Sequence, residues 1–244
     1  MTITLNSNNP SNNVVIGGIA SGRKKFSRLH IKLVLDGTGS TGPFNPGVNA
    51  IFSDLVTELP LRVGECYFGL HVGRDWDHDL DHDVNLGDNL PADEITKQMG
   101  LVKYEGGGDE LETQIDSLLY VASTTAWKTS EGARLAIVLA TSSDSKNARD
   151  GSTGAIAGTK LGQLGIRIIV IAPKSATNVH DLARYSGGQN MILSNTPSAD
   201  ELKQIRDRLT KSLTQIAGTP ATGTVGITPN TKFGSHGTVA LGSN

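Results

Sequence analysis

The sequence of 244 residues contains one cysteine, few aromatic residues and no large excess of charge of either sign. A single cysteine excludes a disulfide within this sequence, and Cys66 lies in an apolar stretch, so we expect a buried and unreactive thiol. A net charge of −2 does not provide the positive field that binds nucleic acid or an anionic membrane. We therefore expect neither partner and favour a cytoplasmic location.

Long hydrophobic runs are also missing. No window approaches the ~18 consecutive apolar residues of a membrane-spanning helix, and the N-terminal residues lack the positive charge of a signal peptide. Composition instead predicts three parts: a flexible polar arm over residues 1–27, a folded domain over 28–216, and a disordered tail rich in Gly, Thr and Ser over 217–244.

Within the predicted domain, short apolar segments alternate with amphipathic ones. The predicted strands cover residues 29–35, 61–72, 134–140, 166–172 and 190–193. The predicted helices cover residues 46–59, 91–99, 155–164, 179–185 and 199–216, and a further helix begins behind Asp109 as its N-cap, with Glu112 completing a capping box. Continuously apolar strands that alternate with helices predict an α/β fold, a doubly wound, Rossmann-like and mostly parallel sheet with helices on both faces.

The loop that follows the first predicted strand carries the most distinctive chemistry. Asp36, Thr38 and Ser40 place one carboxylate and two hydroxyls at alternate positions between glycines. Oxygen ligands on a tight loop are typical of a site for a hard divalent cation, Mg²⁺ first and Mn²⁺ or Ca²⁺ as alternatives. The same stretch also spells Gly-x-Gly-x-x-Gly, the fingerprint of a dinucleotide-binding loop.

Three features favour the cation over the dinucleotide. Pro43 follows the last glycine and delays the helix whose N-terminus would bind the pyrophosphate. The first acidic residue at the end of the second strand, Asp75, lies well beyond the ~20 residues that the fingerprint requires. The carboxylate of Asp36 would also repel a pyrophosphate.

Two further polar segments follow predicted strands. They are the turn before Asp109, which follows a predicted extended stretch over residues 101–104, and the segment 141–144, which follows the strand 134–140. Because ligands bind at the carboxyl ends of the strands in such sheets, we expect these segments to meet the Asp36 loop at one edge. A separate run over 75–83 holds five aspartates and two histidines; a solvated hairpin tip is the favoured interpretation and a second cation site the alternative.

The motifs resemble those of von Willebrand factor A domains of the bacterial stand-alone type. The stretch 36–40 is similar, residue for residue, to the Asp-x-Ser/Thr-x-Ser of their metal-ion-dependent adhesion site (MIDAS). The turn 106–112 is similar to their Gly-Gly-Gly-Asp-x-Pro-Glu, and 182–188 to their Leu-Ala-x-x-x-Gly-Gly helix end. The resemblance spans about residues 29–216. One position departs from the pattern, because Ser142 stands where these proteins usually have aspartate.

The resemblance implies a non-enzymatic scaffold that binds a protein partner through a metal ion. The implied metal ligands are Asp36, Thr38, Ser40, Asp109 and Asp144. The implied partner contacts are Thr41, Ser142 and Asp75. A carboxylate of the partner would complete the coordination, and an AAA-type ATPase is a candidate by family analogy. The serine at position 142 leaves an alternative open: a self-assembling structural protein whose site has lost its metal.

Overall fold

The computed structural model describes residues 27–77, 83–108 and 110–218. The strands are β1 (Ser27–Asp36), β2 (Gly64–Gly73), β3 (Val84–Gly87), β4 (Leu111–Glu112), β5 (Arg134–Ala140), β6 (Asp144–Ser145), β7 (Ile166–Ala172) and β8 (Gln189–Ile192). The helices are α1 (Asn45–Val63), α2 (Ala92–Leu101), α3 (Gln114–Thr124), α4 (Gly154–Gln163), α5 (Thr177–Ser186) and α6 (Ala199–Gly218), with 3-10 turns at Gly39–Thr41 and Thr129–Glu131.

The main sheet has six strands in the order β3-β2-β1-β5-β7-β8. Every neighbouring pair is parallel except β2 with β3, which is antiparallel. The short strands β4 and β6 form a separate parallel pair. The order of the sheet reverses between β1 and β5, and such a switch point is where open α/β sheets bind their ligands. The predicted doubly wound α/β fold is confirmed.

Two apolar layers hold the sheet between its helices. One layer joins the sheet to α1, α2 and α6, and the other joins it to α3, α4 and α5. β1 supplies both layers, because Leu33 and Leu35 face the first and Val34 faces the second. All three side chains are fully buried, which explains why the strand ends in a continuous apolar run before Asp36.

A buried lysine interrupts the apolar pattern of β1. The Lys32 ammonium donates hydrogen bonds to Asn85 Oδ1 at 2.7 Å, to the Gly87 carbonyl at 2.7 Å and to Asp88 Oδ1 at 2.5 Å. Burial lowers its pKa. Gly69 makes room for it, since a Cβ there would lie 2.7 Å from Lys32 Cδ. Lys32 therefore fastens the edge strand β3 to the centre of the sheet.

A stripe of glycines allows α4 and α5 to pack main chain to main chain. Gly154, Gly158 and Gly162 recur every four residues and so lie on one face of α4. A Cβ at Gly158 would lie 2.6 Å from the carbonyl oxygen of Leu182, and one at Gly154 would lie 1.8 Å from that of Asn178. No side chain fits between these helices.

The structure corrects two local predictions. Residues 61–63 continue α1, so β2 begins at Gly64 rather than at residue 61. The predicted capping box is wrong, because Glu112 lies in β4 and α3 begins at Gln114 behind Thr113, whose side chain does not cap the helix. The predicted arm up to residue 26 and the tail from residue 219 lie outside the described residues.

Two other expectations can be compared with the structure. In the part of the chain that the structure describes, no helix is both long and apolar enough to cross a membrane. Cys66 is half-buried against the first apolar layer. Desolvation raises the pKa of its thiol to about 12, which suppresses the reactive thiolate.

The close contact between α4 and α5 gives a testable prediction. We expect Gly158→Ala to lower the free energy of unfolding by about 2 kcal/mol or more, because the new methyl group meets main-chain atoms that cannot rotate away. The measurement is urea denaturation of the purified chain.

Gly100→Ala is the matched control. Gly100 lies in α2, and a Cβ there meets nothing within 4 Å. The same substitution is expected to stabilise the chain by up to about 1 kcal/mol through helix propensity. Equal effects of the two substitutions would contradict the packing described for α4 and α5.

Candidate functional site

The site begins with a hydrogen bond across the switch point. β1 ends at Asp36, and Thr141 directly follows β5. The Thr141 hydroxyl donates to Asp36 Oδ2 at 2.6 Å, and both residues are fully buried. The contact links two strands that are neighbours in the sheet and about a hundred residues apart in the chain.

Asp36 is a buried carboxylate that also receives two donors from its own loop. Its Oδ1 accepts from the Thr38 main-chain N–H at 3.0 Å and from the Thr38 hydroxyl at 2.7 Å. Burial raises the pKa of Asp36, and the hydrogen bonds from Thr141 and Thr38 offset part of that rise. Ionising Asp36 in the folded chain therefore lowers the free energy of unfolding.

A cluster of hydroxyls lies beside this carboxylate. The Ser40 Oγ lies 3.3 Å from Thr38 Oγ1, 3.4 Å from Ser142 Oγ and 3.5 Å from Ser143 Oγ. These separations exceed the 2.7–2.8 Å of ordinary O–H···O bonds. Thr38 is buried while Ser40 is exposed, so the oxygen cluster opens at the surface through Ser40.

The loop is shaped by Thr41 and by a glycine. The Thr41 hydroxyl donates to the carbonyls of Asp36 at 2.9 Å and of Thr38 at 2.5 Å, closing the 3-10 turn. Gly37 passes so close to β2 that a Cβ there would lie 2.5 Å from Val72 Cγ1. Thr41 is fully buried and shapes the loop; its role as a partner contact stays a prediction.

The segment 102–108 forms a second wall of the loop. Glu105 N–H donates to the Gly37 carbonyl at 3.1 Å, and Gly39 N–H donates to the Gly106 carbonyl at 3.1 Å. Gly107 has φ +77°, and a Cβ there would lie 3.2 Å from Thr38 Cβ. Asp109, an implied ligand, lies outside the described residues.

Arg74 ties this wall to the loop. Its Nη1 donates to the carbonyls of Gly37 at 3.2 Å and of Glu105 at 2.7 Å, and its Nη2 donates to that of Lys103 at 3.1 Å. The sequence alone does not predict this role for Arg74. An arginine directly after a strand carries no signal that it will bind three main-chain carbonyls.

The structure gives Asp144 a different role from the implied one. Its Oδ1 accepts from the main-chain N–H groups of Asn178 at 2.9 Å and Val179 at 3.1 Å, and its Oδ2 accepts from the Thr177 hydroxyl at 3.2 Å. A carboxylate so placed caps the positive end of α5. Ser142 and Ser143 are the residues of this segment that lie beside Ser40, and Ser143 was missed although it is also a hydroxyl behind an apolar strand.

Asp75 is fully buried and faces Lys146, with 3.7 Å between its Oδ2 and the ammonium. Its contact with a partner likewise stays a prediction. The same Lys146 also pairs with Asp77 at 2.9 Å. The carboxylate of Asp83 accepts hydrogen bonds from Trp76 Nε1 at 2.7 Å and from two other donors, the Arg74 N–H and the Ser117 hydroxyl.

These contacts describe the two ends of the acidic run 75–83. A solvated tip is wrong for Asp75 and for Asp83, whose side chain is 1% exposed. For a second cation site, the described residues contain no group of three or more His, Cys, Asp or Glu side chains that could hold a metal ion. Residues 78–82 of the run lie outside the described residues.

The donors around Ser40 can be tested against the chemistry of Mg²⁺. They are all oxygens, as a hard cation requires, and Asp36 is the carboxylate that hydrogen-bonds to one of these hydroxyls. Mg²⁺ binds proteins through one or two carboxylates while keeping several waters. The residues present therefore fit a weakly held cation that contacts the hydroxyls and retains part of its hydration shell.

The buried charge of Asp36 gives a prediction that needs no metal. We expect Asp36→Asn to raise the free energy of unfolding in EDTA at neutral pH. The asparagine keeps an acceptor for Thr38, and its N–H₂ can donate to the Thr141 hydroxyl, which then donates to the Ser143 carbonyl 3.1 Å away.

The sign of the pH dependence follows from the raised pKa of Asp36. In the wild type, protonated Asp36 contributes fully to the free energy of unfolding below the pKa it has in the unfolded chain. That contribution is lost as pH rises through the higher pKa it has in the folded chain. The gain in free energy of unfolding from Asp36→Asn therefore grows from acid to neutral pH. Urea denaturation across that range measures it. Asp207→Asn, at an exposed position, is the control and is expected to stay within about 0.5 kcal/mol. Destabilisation by Asp36→Asn at pH 7 would contradict a net cost of the buried charge.

Comparisons with known proteins bear on the fold. No protein-family model and no curated protein matches the sequence. Among solved structures, the chain is similar to an aerotolerance-related membrane protein from Bacteroides fragilis NCTC 9343 that carries multiple mutations to serine, with 12% identity and a TM-score of 0.55 over 77% of this chain and 99% of that chain. At this identity the likeness establishes the α/β, Rossmann-like fold alone, and it agrees with the architecture that the resemblance to von Willebrand factor A domains implied.

Proposed function

We propose that the chain is a non-enzymatic protein-binding module that recognises its partner through a divalent cation at Ser40. The observation that carries the proposal is the exposed Ser40 hydroxyl, which lies within 3.5 Å of three other hydroxyls beside the buried carboxylate of Asp36. This cluster lies at the switch point of the sheet, where ligands of such folds bind. Mg²⁺ is the first candidate, with Mn²⁺ and Ca²⁺ as alternatives.

The charge of the site supports a carboxylate as the partner group. A divalent cation beside one carboxylate keeps a net positive charge, and Asp144, the second acidic candidate among the described residues, is directed at α5. An acidic side chain of a partner balances that charge and replaces a water. An AAA-type ATPase remains a candidate partner by family analogy, and a cytoplasmic location remains part of the proposal.

The environments of the histidines in β1 and β2 support a role other than catalysis. His30 Nδ1 accepts from the Lys128 N–H at 3.1 Å, and its Nε2 donates to the Asp88 carbonyl at 2.9 Å. His71 is buried and contacts Asp83 at 3.1 Å. Both rings are engaged in holding the fold, away from the Ser40 cluster.

One observation favours a second candidate, a self-assembling structural protein without metal. Both oxygens of Asp36 already accept hydrogen bonds, and Thr41 and Arg74 hold the loop through main-chain carbonyls. The loop is therefore shaped by the protein alone. In that case the hydroxyl cluster binds no metal, and the outer surfaces of the domain form the contacts of the assembly.

Thermal unfolding with and without Mg²⁺ tests the first candidate. For a Kd of about 1 mM, 10 mM Mg²⁺ stabilises the folded state by about 1.4 kcal/mol, which raises Tm by about 3–6 °C for a domain of this size. We expect Ser40→Ala to abolish this increase, because it removes the central hydroxyl. Ser123→Ala, which removes a surface hydroxyl bonded to the Tyr120 carbonyl, is the matched control.

In the thermal-unfolding experiment, an increase in Tm that is identical in the wild type and in Ser40→Ala would refute a cation at this cluster.

Size-exclusion chromatography separates the two candidates. Concentration-dependent assembly that EDTA and Ser40→Ala both leave unchanged would support the structural candidate. Monomers that bind a partner only in Mg²⁺ would support the first.

A further inference from the structure

An apolar groove lies between the end of α2 and the strands β2 and β3. It is next to the Ser40 cluster. It has a volume of about 220 Å³. Its apolar walls are Val72, Val84, Leu86, Leu101 and Val102.

The groove borders the first apolar layer through two of its five apolar walls. Val72 is buried at its floor, whereas Leu101 is 65% exposed and Val84 is 40% exposed at its rim. Leu86 and Val102 pack against the same layer from the side. Exposed apolar surface that continues a core and has a polar rim is typical of an interaction site.

The rim of the groove carries positive charge. Arg74 uses three of its five N–H donors on main-chain carbonyls and pairs with no carboxylate among the residues that the structure describes. Lys103 also lines the groove and is exposed, while Glu105 is the one acidic residue of the lining. Carbonyl oxygens do not neutralise a guanidinium, so the rim favours an anionic group.

The groove and the Ser40 cluster share one wall. Arg74 and Glu105 line the groove, and both hydrogen-bond to the Gly37 carbonyl of the Asp36 loop. The next residue, Gly106, accepts from the Gly39 N–H. A bound segment that lies across 105–107 therefore reaches both places.

We propose that the groove binds a large apolar side chain from an acidic segment of the protein partner. The apolar side chain fills the space between Leu101 and Val84, and the acidic groups of the segment face Arg74, Lys103 and, across the shared wall, the cation. This inference rests on the proposed function and adds the chemistry of the partner: an aliphatic or aromatic residue close to an acidic one.

A random peptide library displayed on phage and selected on the full chain in millimolar Mg²⁺ tests the proposal. We expect the selected peptides to pair Asp or Glu with Leu, Ile, Met or Phe. Fluorescence polarisation with the consensus peptide then measures affinity. Leu101→Asp is expected to weaken binding about tenfold or more, because it places a charge in the groove and repels the acidic groups.

Leu61→Asp is the matched control. Leu61 is 86% exposed in the last turn of α1, at the opposite end of that helix from the Asp36 loop, so the same substitution is expected to leave affinity unchanged. Melting curves of both variants verify that they fold. The proposal that the groove binds the partner would be refuted if Leu101→Asp and the wild type bound the consensus peptide with equal affinity. It would also be refuted if the selected peptides contained no apolar residue.

The outcomes also separate this inference from the proposed function. Peptides whose binding needs Mg²⁺ and Ser40 but ignores Leu101→Asp support the cation and refute the groove. Peptides whose binding needs Leu101 but persists in EDTA and in Ser40→Ala support the groove and refute the cation.

Discussion

The hydrogen bond from Thr141 to Asp36 is the contact on which the site depends. It joins the ends of β1 and β5, where the order of the sheet reverses. Neither residue can reach solvent, so the bond persists without competition from water. Gly37 then lets the loop pass close to β2, and the Ser40 hydroxyl lies beside the serines that follow β5.

The same carboxylate places two demands on the fold that oppose each other. Burial favours the neutral acid, whereas a cation site requires the ionised form. The hydroxyls of Thr38 and Thr141 moderate the conflict because they stabilise the anion with hydrogen bonds instead of a full positive charge. An ion at Ser40 would relieve the remaining cost, which links metal affinity to the stability of the loop.

Strands that are buried on both faces were predictable from the sequence, because their apolar runs are continuous; 134–140 and 166–172 agree with β5 and β7 residue for residue. The hydroxyls around Ser40 were predictable for the same reason, since they follow such runs. Asp144 could not be placed this way, because an aspartate beside a strand end serves equally as a ligand or as a helix cap, and the choice depends on where α5 begins. Lys32 and Arg74 depend on oxygen acceptors that are distant in the sequence, which no local pattern encodes.

The glycine stripe between α4 and α5 makes one side of the site more tightly packed than the other. The two helices touch through their main chains, and Asp144 locks the start of α5 directly behind Ser142 and Ser143. Ser142 and Ser143 are therefore supported by the closely packed pair α4 and α5. The opposite side, segment 102–108, is held by Arg74 through carbonyl contacts and by a few main-chain hydrogen bonds. From this difference in packing, we expect a ligand bound at Ser40 to displace segment 102–108 and the end of α2 more readily than α5.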